Sequence, residues 1–286
     1  MKLVKYIMVL CLFCVLTGIL SANAEDAPVP LSESELERKK TLTMLTEDDL
    51  IKEVPVLFQN KEFERMVYTA LYRSKEDPVY PSELAAIRAL SIRNGNMLFS
   101  PVIQEYVEYD QADILDLSDL KHFPNLIFLD ITDMKCSEFE AITHLSELQQ
   151  LILIRAGVTD CSFLSDMTLS ELNLTGNELL SFTPVSTVGE LKKLNLSHTG
   201  LTSLEPFRNL DLTELVIADN PISDLEPISN MSGLTCLSIQ DTEVTSLDAL
   251  RNLTELEELY LEDLKGKLSL EPLQNLKKLK LVFGWE

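Results

Sequence analysis

The feature that most constrains this chain is a phrase it writes again and again. The pair Leu-x-Leu, or Leu-x-Ile, recurs at Leu129/Ile131, Leu151/Leu153, Leu172/Leu174, Leu194/Leu196, Leu215/Ile217, Leu237/Ile239, Leu259/Leu261 and Leu279/Leu281. The spacings are 22, 21, 22, 21, 22, 22 and 20, and a degenerate copy at Val107/Tyr109 lies 22 residues before the first. The unit that starts at Leu215 shows the grammar. Leu215 and Ile217 alternate onto one face, as in a short strand. Asn220 follows, and then Ile222, Leu225, Ile228, Met231 and Leu234 come at steps of three, which suit turns and 3₁₀ segments. One such unit directs all its apolar groups to one side and cannot bury them alone. Stacked neighbours can, so the repeat predicts a solenoid.

The unit resembles the leucine-rich repeat family, LxxLxLxxNxIxxIxxL, and is most similar to the 21–22-residue class of bacterial internalin-like proteins. The resemblance runs from about Val107 to Glu286. It implies an α/β solenoid: a horseshoe with a parallel concave β-sheet, a 3₁₀ or irregular convex side and an N-terminal helical cap. It also implies a ladder of asparagines that satisfies backbone groups between coils. Here those positions hold Ala112, Met134, Ala156, Asn177, Thr199, Asn220, Thr242 and Leu264. Only Asn177 and Asn220 keep the pattern, with threonine as a partial substitute, so the turns of the other coils are expected to meet their hydrogen bonds differently. Pro184, Pro206, Pro227 and Pro272 fall on the return path, where proline can open a short helical turn.

The expected organisation is a signal peptide over 1–24, an acidic linker over 25–57, a helical cap over 58–100 and the repeat domain over 101–286. The signal reading rests on Lys2 and Lys5, the apolar run Tyr6–Leu20 and the small-x-small site Ala22-Asn23-Ala24. The run is short for a membrane span and no stop-transfer charges follow, so no membrane insertion is expected after cleavage. In the cap, Asn60 is expected to open a helix whose apolar face is Phe63, Met66, Val67, Ala70 and Leu71, with Asp77-Pro78 ending it and Ser82 capping a second turn. The last strand phrase is followed only by Val-Phe-Gly-Trp-Glu. Three readings of that end stand: Phe283 and Trp285 close it, a second copy associates there, or the chain is cut from a longer parent.

Charge narrows the partners. There are 24 Lys and Arg against 46 Asp and Glu, a net charge of −22 that signal removal would take to −24. Nucleic acid and anionic membrane surfaces both need clustered cations and are disfavoured, so no nucleic-acid partner is expected. Acidity serves solubility, or it fits a basic partner. Three cysteines remain in the mature chain, Cys136, Cys161 and Cys236, an odd number with no disulfide-framework spacing. Cys136 and Cys161 align with core hydrophobes and Cys236 with exposed glutamates.

No catalytic constellation emerges, and no cofactor or metal is expected. There is no phosphate loop, no HExxH and no CxxC pair. His122, His144 and Asp166 recur at 22-residue spacing, but such a column is the ordinary consequence of a repeat and lacks a closing fourth ligand. The sequons at Asn173, Asn195, Asn230 and Asn252 are generated by the repeat itself. The chain therefore reads as an exported, non-enzymatic protein, periplasmic, extracellular or on the cell surface. It would bind another macromolecule, a protein, through its concave face. The alternatives are an envelope component assembling through solenoid ends, or the recognition part of a larger adhesin or enzyme. Strand residues that alternate with the inward leucines define the expected binding surface: Phe128, Asp130, Ile152, Ile154, Asn173, Asn195, Val216, Ser238, Glu258, Tyr260 and Glu262. Phe128, Ile152 and Ile154 are expected to form an apolar patch, and Tyr260 with its two glutamates an acidic aromatic area.

Overall fold

A computed structural model describes residues 53–93, 96–98, 114–262 and 268–282. The signal, most of the linker, the degenerate copy at Val107/Tyr109, Ala112, Leu264 and the closing aromatics lie outside the described residues. The chain divides into two compact units, Met1–Asp130 with Ser137–Leu148, and Ile131–Cys136 with Gln149–Glu286.

The first unit opens on helix α1 (Lys61–Ala70). Asn60 is its N-cap, and its Oδ1 accepts from the N–H groups of Glu62 at 2.8 Å and Phe63 at 2.9 Å. Phe63, Met66 and Val67 are buried along one face, together with Tyr68. The helix ends earlier than the sequence suggested. Tyr72 takes a left-handed φ of 53° and stops it five residues before Asp77-Pro78. Helix α2 (Pro81–Ala85) is capped from Tyr80 rather than Ser82, because the Glu83 carboxylate reaches back to the Tyr80 N–H at 2.9 Å. Strand β1 (Ala89–Arg93) pairs antiparallel with β2 (Asn96–Leu98). Two-residue strands β3 (Leu115–Asp116) and β5 (Cys136–Ser137) and strand β4 (Phe128–Thr132) complete the early part of the chain. Asp119 is wholly buried and ties the unit together: its carboxylate accepts from the N–H groups of Gln59 at 2.9 Å and Asn60 at 2.8 Å.

The second unit is a stack of coils. Strands β6 (Gln150–Ile154), β7 (Glu171–Asn173), β8 (Lys193–Asn195), β9 (Glu214–Val216), β10 (Cys236–Ser238), β11 (Glu258–Tyr260) and β12 (Lys280–Val282) pair in parallel and in chain order. The register aligns Leu151, Leu172, Leu194, Leu215, Leu237, Leu259 and Leu281. The last coil thus departs from the expected pair: Leu281, not Leu279, stands beside Leu259, because strand pairing keeps the 22-residue step where the Leu-x-Leu phrase suggested 20. Of the inward pairs, every described side chain from Leu151 to Leu261 is buried. Each such leucine contributes on the order of 2 kcal/mol relative to exposure. Return paths carry 3₁₀ turns at Ser162–Leu164, Glu205–Phe207, Glu226–Ile228, Asp248–Leu250 and Glu271–Leu273, with a single helical turn α3 (Thr183–Ser186) in the same role. Pro184, Pro206, Pro227 and Pro272 all occupy the first turn of these segments, where a missing N–H costs nothing.

Each coil must hand its backbone hydrogen bonds to the next. The residue two after the second inward position adopts a left-handed φ in coil after coil: Asp133, Arg155, Gly176, His198, Asp219 and Asp241. In each case its N–H then donates to a carbonyl of the following coil, as from His198 to Ala218 at 3.0 Å and from Asp219 to Gln240 at 3.0 Å. Only one of the six is glycine. Arg155 crosses over Gly176, so an added Cβ there would lie 2.6 Å from the Arg155 Cγ. The asparagine positions come next. Asn220 Oδ1 accepts from the N–H groups of Thr199 at 3.2 Å and Leu201 at 2.9 Å, while its Nδ2 donates to the Leu196 carbonyl at 2.8 Å. Asn177 does the same for Val158 and Leu153. Thr199 and Thr242 reproduce one bond each, their hydroxyls donating to Leu196 and Ile239 at 2.7 Å. Ala156 has no such group, and its carbonyl instead accepts from the Cys136 N–H at 2.9 Å.

Candidate functional site

In the second unit the sheet face not used by the core consists of three files of side chains. The first file, at the strand starts, runs Gln150, Glu171, Lys193, Glu214, Cys236, Glu258, Lys280; the middle file runs Ile152, Asn173, Asn195, Val216, Ser238, Tyr260. A third file, two residues further on, holds Ile154, Thr175, Ser197, Ala218, Gln240 and Glu262. Charge is concentrated in the first file. The middle of the face is small and neutral.

Most of the residues expected on this surface are there. Ile152, Ile154, Asn173, Asn195, Val216, Tyr260 and Glu262 are half-buried and Glu258 is exposed. Phe128 is half-buried in the first unit. Two positions differ. Asp130, also in the first unit, is wholly buried, because Arg93 folds over it and its guanidinium Nε donates to the carboxylate at 2.7 Å. Ser238 is only 5% exposed, and its hydroxyl donates to Gln240 Oε1 at 3.2 Å. Both point to the expected side of their strands, but covering side chains remove them from the accessible surface.

Local bonds organise the acidic end. The Tyr260 hydroxyl donates to Glu258 at 2.9 Å, which pushes its own pKa up, and Gln240 Nε2 donates to Glu262 at 3.0 Å. Lys193 pairs with Glu214 at 2.6 Å, and this bond holds its ammonium charged. Cys236 sits between these carboxylates. Burial first, and then Glu258 and Glu214, push its thiol up to about 11, so it is a poor nucleophile. Burial likewise raises Cys136 to about 12 and Cys161 to about 11. At the edge of the face, His198, Asp219, Asn220, Pro221, Asp241, Thr242 and Glu243 line an open pocket of about 380 Å³. The acidic turns there were not foreseen. Their signal was the left-handed turn position, where aspartate is better tolerated than most residues.

The histidine column does not form a site. His122 in the first unit packs edge-on against Phe58, and its Nε2 lies 3.6 Å from Asp119, too long for a hydrogen bond. His144 is exposed in the same unit, and Asp166 is exposed in the second. Among the described residues no group of three or more His, Cys, Asp or Glu side chains could hold a metal ion. The sequons at Asn173 and Asn195 have a structural meaning instead. Each asparagine Oδ1 accepts from the N–H two residues on, in Thr175 and Ser197, both at 2.9 Å.

No protein-family model matches the chain, and no curated protein matches it. Solved structures do. Internalin C2 of Listeria monocytogenes is 24% identical with a TM-score of 0.62, covering 79% of this chain and 94% of its own. A leucine-rich repeat protein of Leptospira interrogans is 18% identical with a TM-score of 0.52, covering 72% of this chain and 51% of its own. The likeness is one of fold. The chain has the internalin-like leucine-rich repeat fold, with a parallel sheet and short 3₁₀ returns.

Proposed function

We propose that this is an exported, non-enzymatic protein that binds another protein through the sheet face of its second unit, the concave face of the repeat fold. The supporting observation is the middle of that face. Ile152, Asn173, Asn195 and Val216 are held in register on four adjacent strands, with Tyr260 two strands further along the same file; they remain partly accessible, and the core has no use for them. Proteins of this fold commonly bind proteins. Export rests on the N-terminal signal pattern. Among the described residues no helix is long and apolar enough to cross a membrane.

The test is a pull-down with the purified protein against envelope and host proteins, repeated with variants. Ile152→Gln and Tyr260→Ala should leave the melting curve unchanged and weaken capture of the partner by about 2 kcal/mol, the scale of a central anchor. Glu226→Gln, on a return turn, should bind as the parent does. Equal binding by all three would move the interface off the sheet face.

A further inference from the structure

Asn173 and Asn195 lie side by side on β7 and β8, and the same row continues to Ile152 on one side and Val216 on the other. The two amides are not free to rotate. Asn173 Oδ1 accepts from the Thr175 N–H at 2.9 Å and from the Thr175 hydroxyl at 2.6 Å, and Asn195 Oδ1 accepts from the Ser197 N–H at 2.9 Å. Only the amide oxygen can face an N–H donor, so these bonds settle which end of each side chain is nitrogen. Each Nδ2 is left turned the other way, with no hydrogen-bond partner among the described residues. The row is therefore aliphatic, donor, donor, aliphatic, with about 4.8 Å between neighbours. Donors fixed in advance lose little entropy on binding.

What would accept from them follows from the surrounding charge. Glu171, Glu258 and Glu262 on the face, and Asp219 and Asp241 at its edge, form no ion pair among the described residues. Lys193 and Arg155, described cations near the row, are already engaged by Glu214 and Asp133. An anionic ligand would be repelled by these carboxylates. Neutral carbonyl acceptors on a cationic chain meet none.

We infer that the Ile152–Asn173–Asn195–Val216 row anchors a Lys- or Arg-bearing peptide segment of a partner protein, whose backbone carbonyls accept from the two Nδ2 groups while its cations meet the surrounding carboxylates. The inference rests on the sheet-face reading above and adds the class of partner. A display library of random 12-residue peptides, selected on the purified protein, tests it. The enriched peptides should be cationic. The best of them should bind at least tenfold more weakly to Asn173→Asp/Asn195→Asp, which keeps both Oδ1 bonds but replaces the donors with acceptors. Charge attraction alone predicts the opposite sign, tighter binding, and that result or unchanged affinity overturns the donor role. Asn173→Ser/Asn195→Ser, which keeps a turn bond and adds no charge, should also weaken binding and guards against a folding defect in the first variant. Enrichment of neutral or acidic peptides, or of none, overturns the partner class. If such peptides still lose affinity with Ile152→Gln, the sheet-face reading survives. Cationic peptides indifferent to Ile152→Gln and Tyr260→Ala would overturn that reading too.

Discussion

The two units bury polar groups of opposite character. In the first, beside the neutral Ser91, carboxylates go inside: Asp119 and Asp130 are wholly buried, and the Arg73–Glu83 pair is only 13% and 10% exposed. In the second, the buried polar side chains among the described residues are all neutral: Asn177, Ser197, Thr199, Asn220, Ser238 and Thr242. The difference tracks the problem each unit solves. A stack of coils poses the same demand every 21 or 22 residues, a few backbone groups to satisfy between turns, and an amide or hydroxyl meets it at modest desolvation cost. The first unit must join segments far apart in sequence. Asp119 reaches Gln59 and Asn60 across sixty residues, a one-off junction where a charge with several donors gives a stronger clasp.

The largest test of this contrast places a carboxylate where the second unit has no donors for it. Leu237 is wholly buried between Leu215 and Leu259. Leu237→Asp should cost several kcal/mol, about the whole stability of a domain, and unfold neighbouring coils. Urea denaturation followed by circular dichroism checks it, and an unchanged midpoint would show the register to be wrong. Asp119→Ala is the counterpart in the first unit. It strips the Gln59 and Asn60 N–H groups of their charged acceptor, for a loss of roughly 2 kcal/mol. Proteolysis should then cut around Gln59 and Asn60 first. A stability like the parent's would mean the clasp is not what holds the helix entry.

Within the second unit the neutral ladder can be graded. Asn220→Ala removes the partner of two buried N–H groups and a carbonyl and should cost about 2–3 kcal/mol. Thr242→Val keeps the shape and loses a single hydroxyl bond to Ile239, so about 1 kcal/mol is expected. Calorimetry on the two variants compares them. If Thr242→Val were as costly as Asn220→Ala, the amide would hold no special place in the stack.

What could be read from the sequence was what repeats. The inward leucines, the Asn60 cap, the prolines of the 3₁₀ turns and the ladder role of Asn177 and Asn220 all follow from local pattern or period. The sheet-face positions also followed from the period, which places a side chain on a side of the strand. Burial by a neighbour is a separate matter. Nothing in the period announces that Arg93 will fold over Asp130, or that Gln240 will close on Ser238. The Asp119 clasp left no trace either, since two segments sixty residues apart share no periodicity. The left-handed column at Asp133, Arg155, His198, Asp219 and Asp241 was hard to read because aspartate and histidine signal such a backbone far more weakly than the glycine at 176.

The smallest effect comes from the histidine that packs beside the clasp. His122 is faced by the Phe58 ring, the Asp119 carboxylate, its neighbour Lys121 and the Leu57 carbonyl. Burial dominates and lowers its pKa below the ordinary histidine value, with Asp119 and the Leu57 carbonyl opposing and Lys121 assisting. A lowered pKa means the unfolded chain takes up the proton first. The contribution of neutral His122 is therefore complete above the unfolded value near 6.5, and it is lost as pH falls below that toward the folded pKa. Most carboxylates still keep their charge between pH 7.5 and 5.5, so the window is informative. Stability should decline on acidification across it, and His122→Asn, which cannot take the proton, should flatten that decline. Denaturation midpoints of the two proteins at both pH values decide the matter. Parallel slopes would mean that the Asp119 charge offsets burial and that the clasp is indifferent to its histidine.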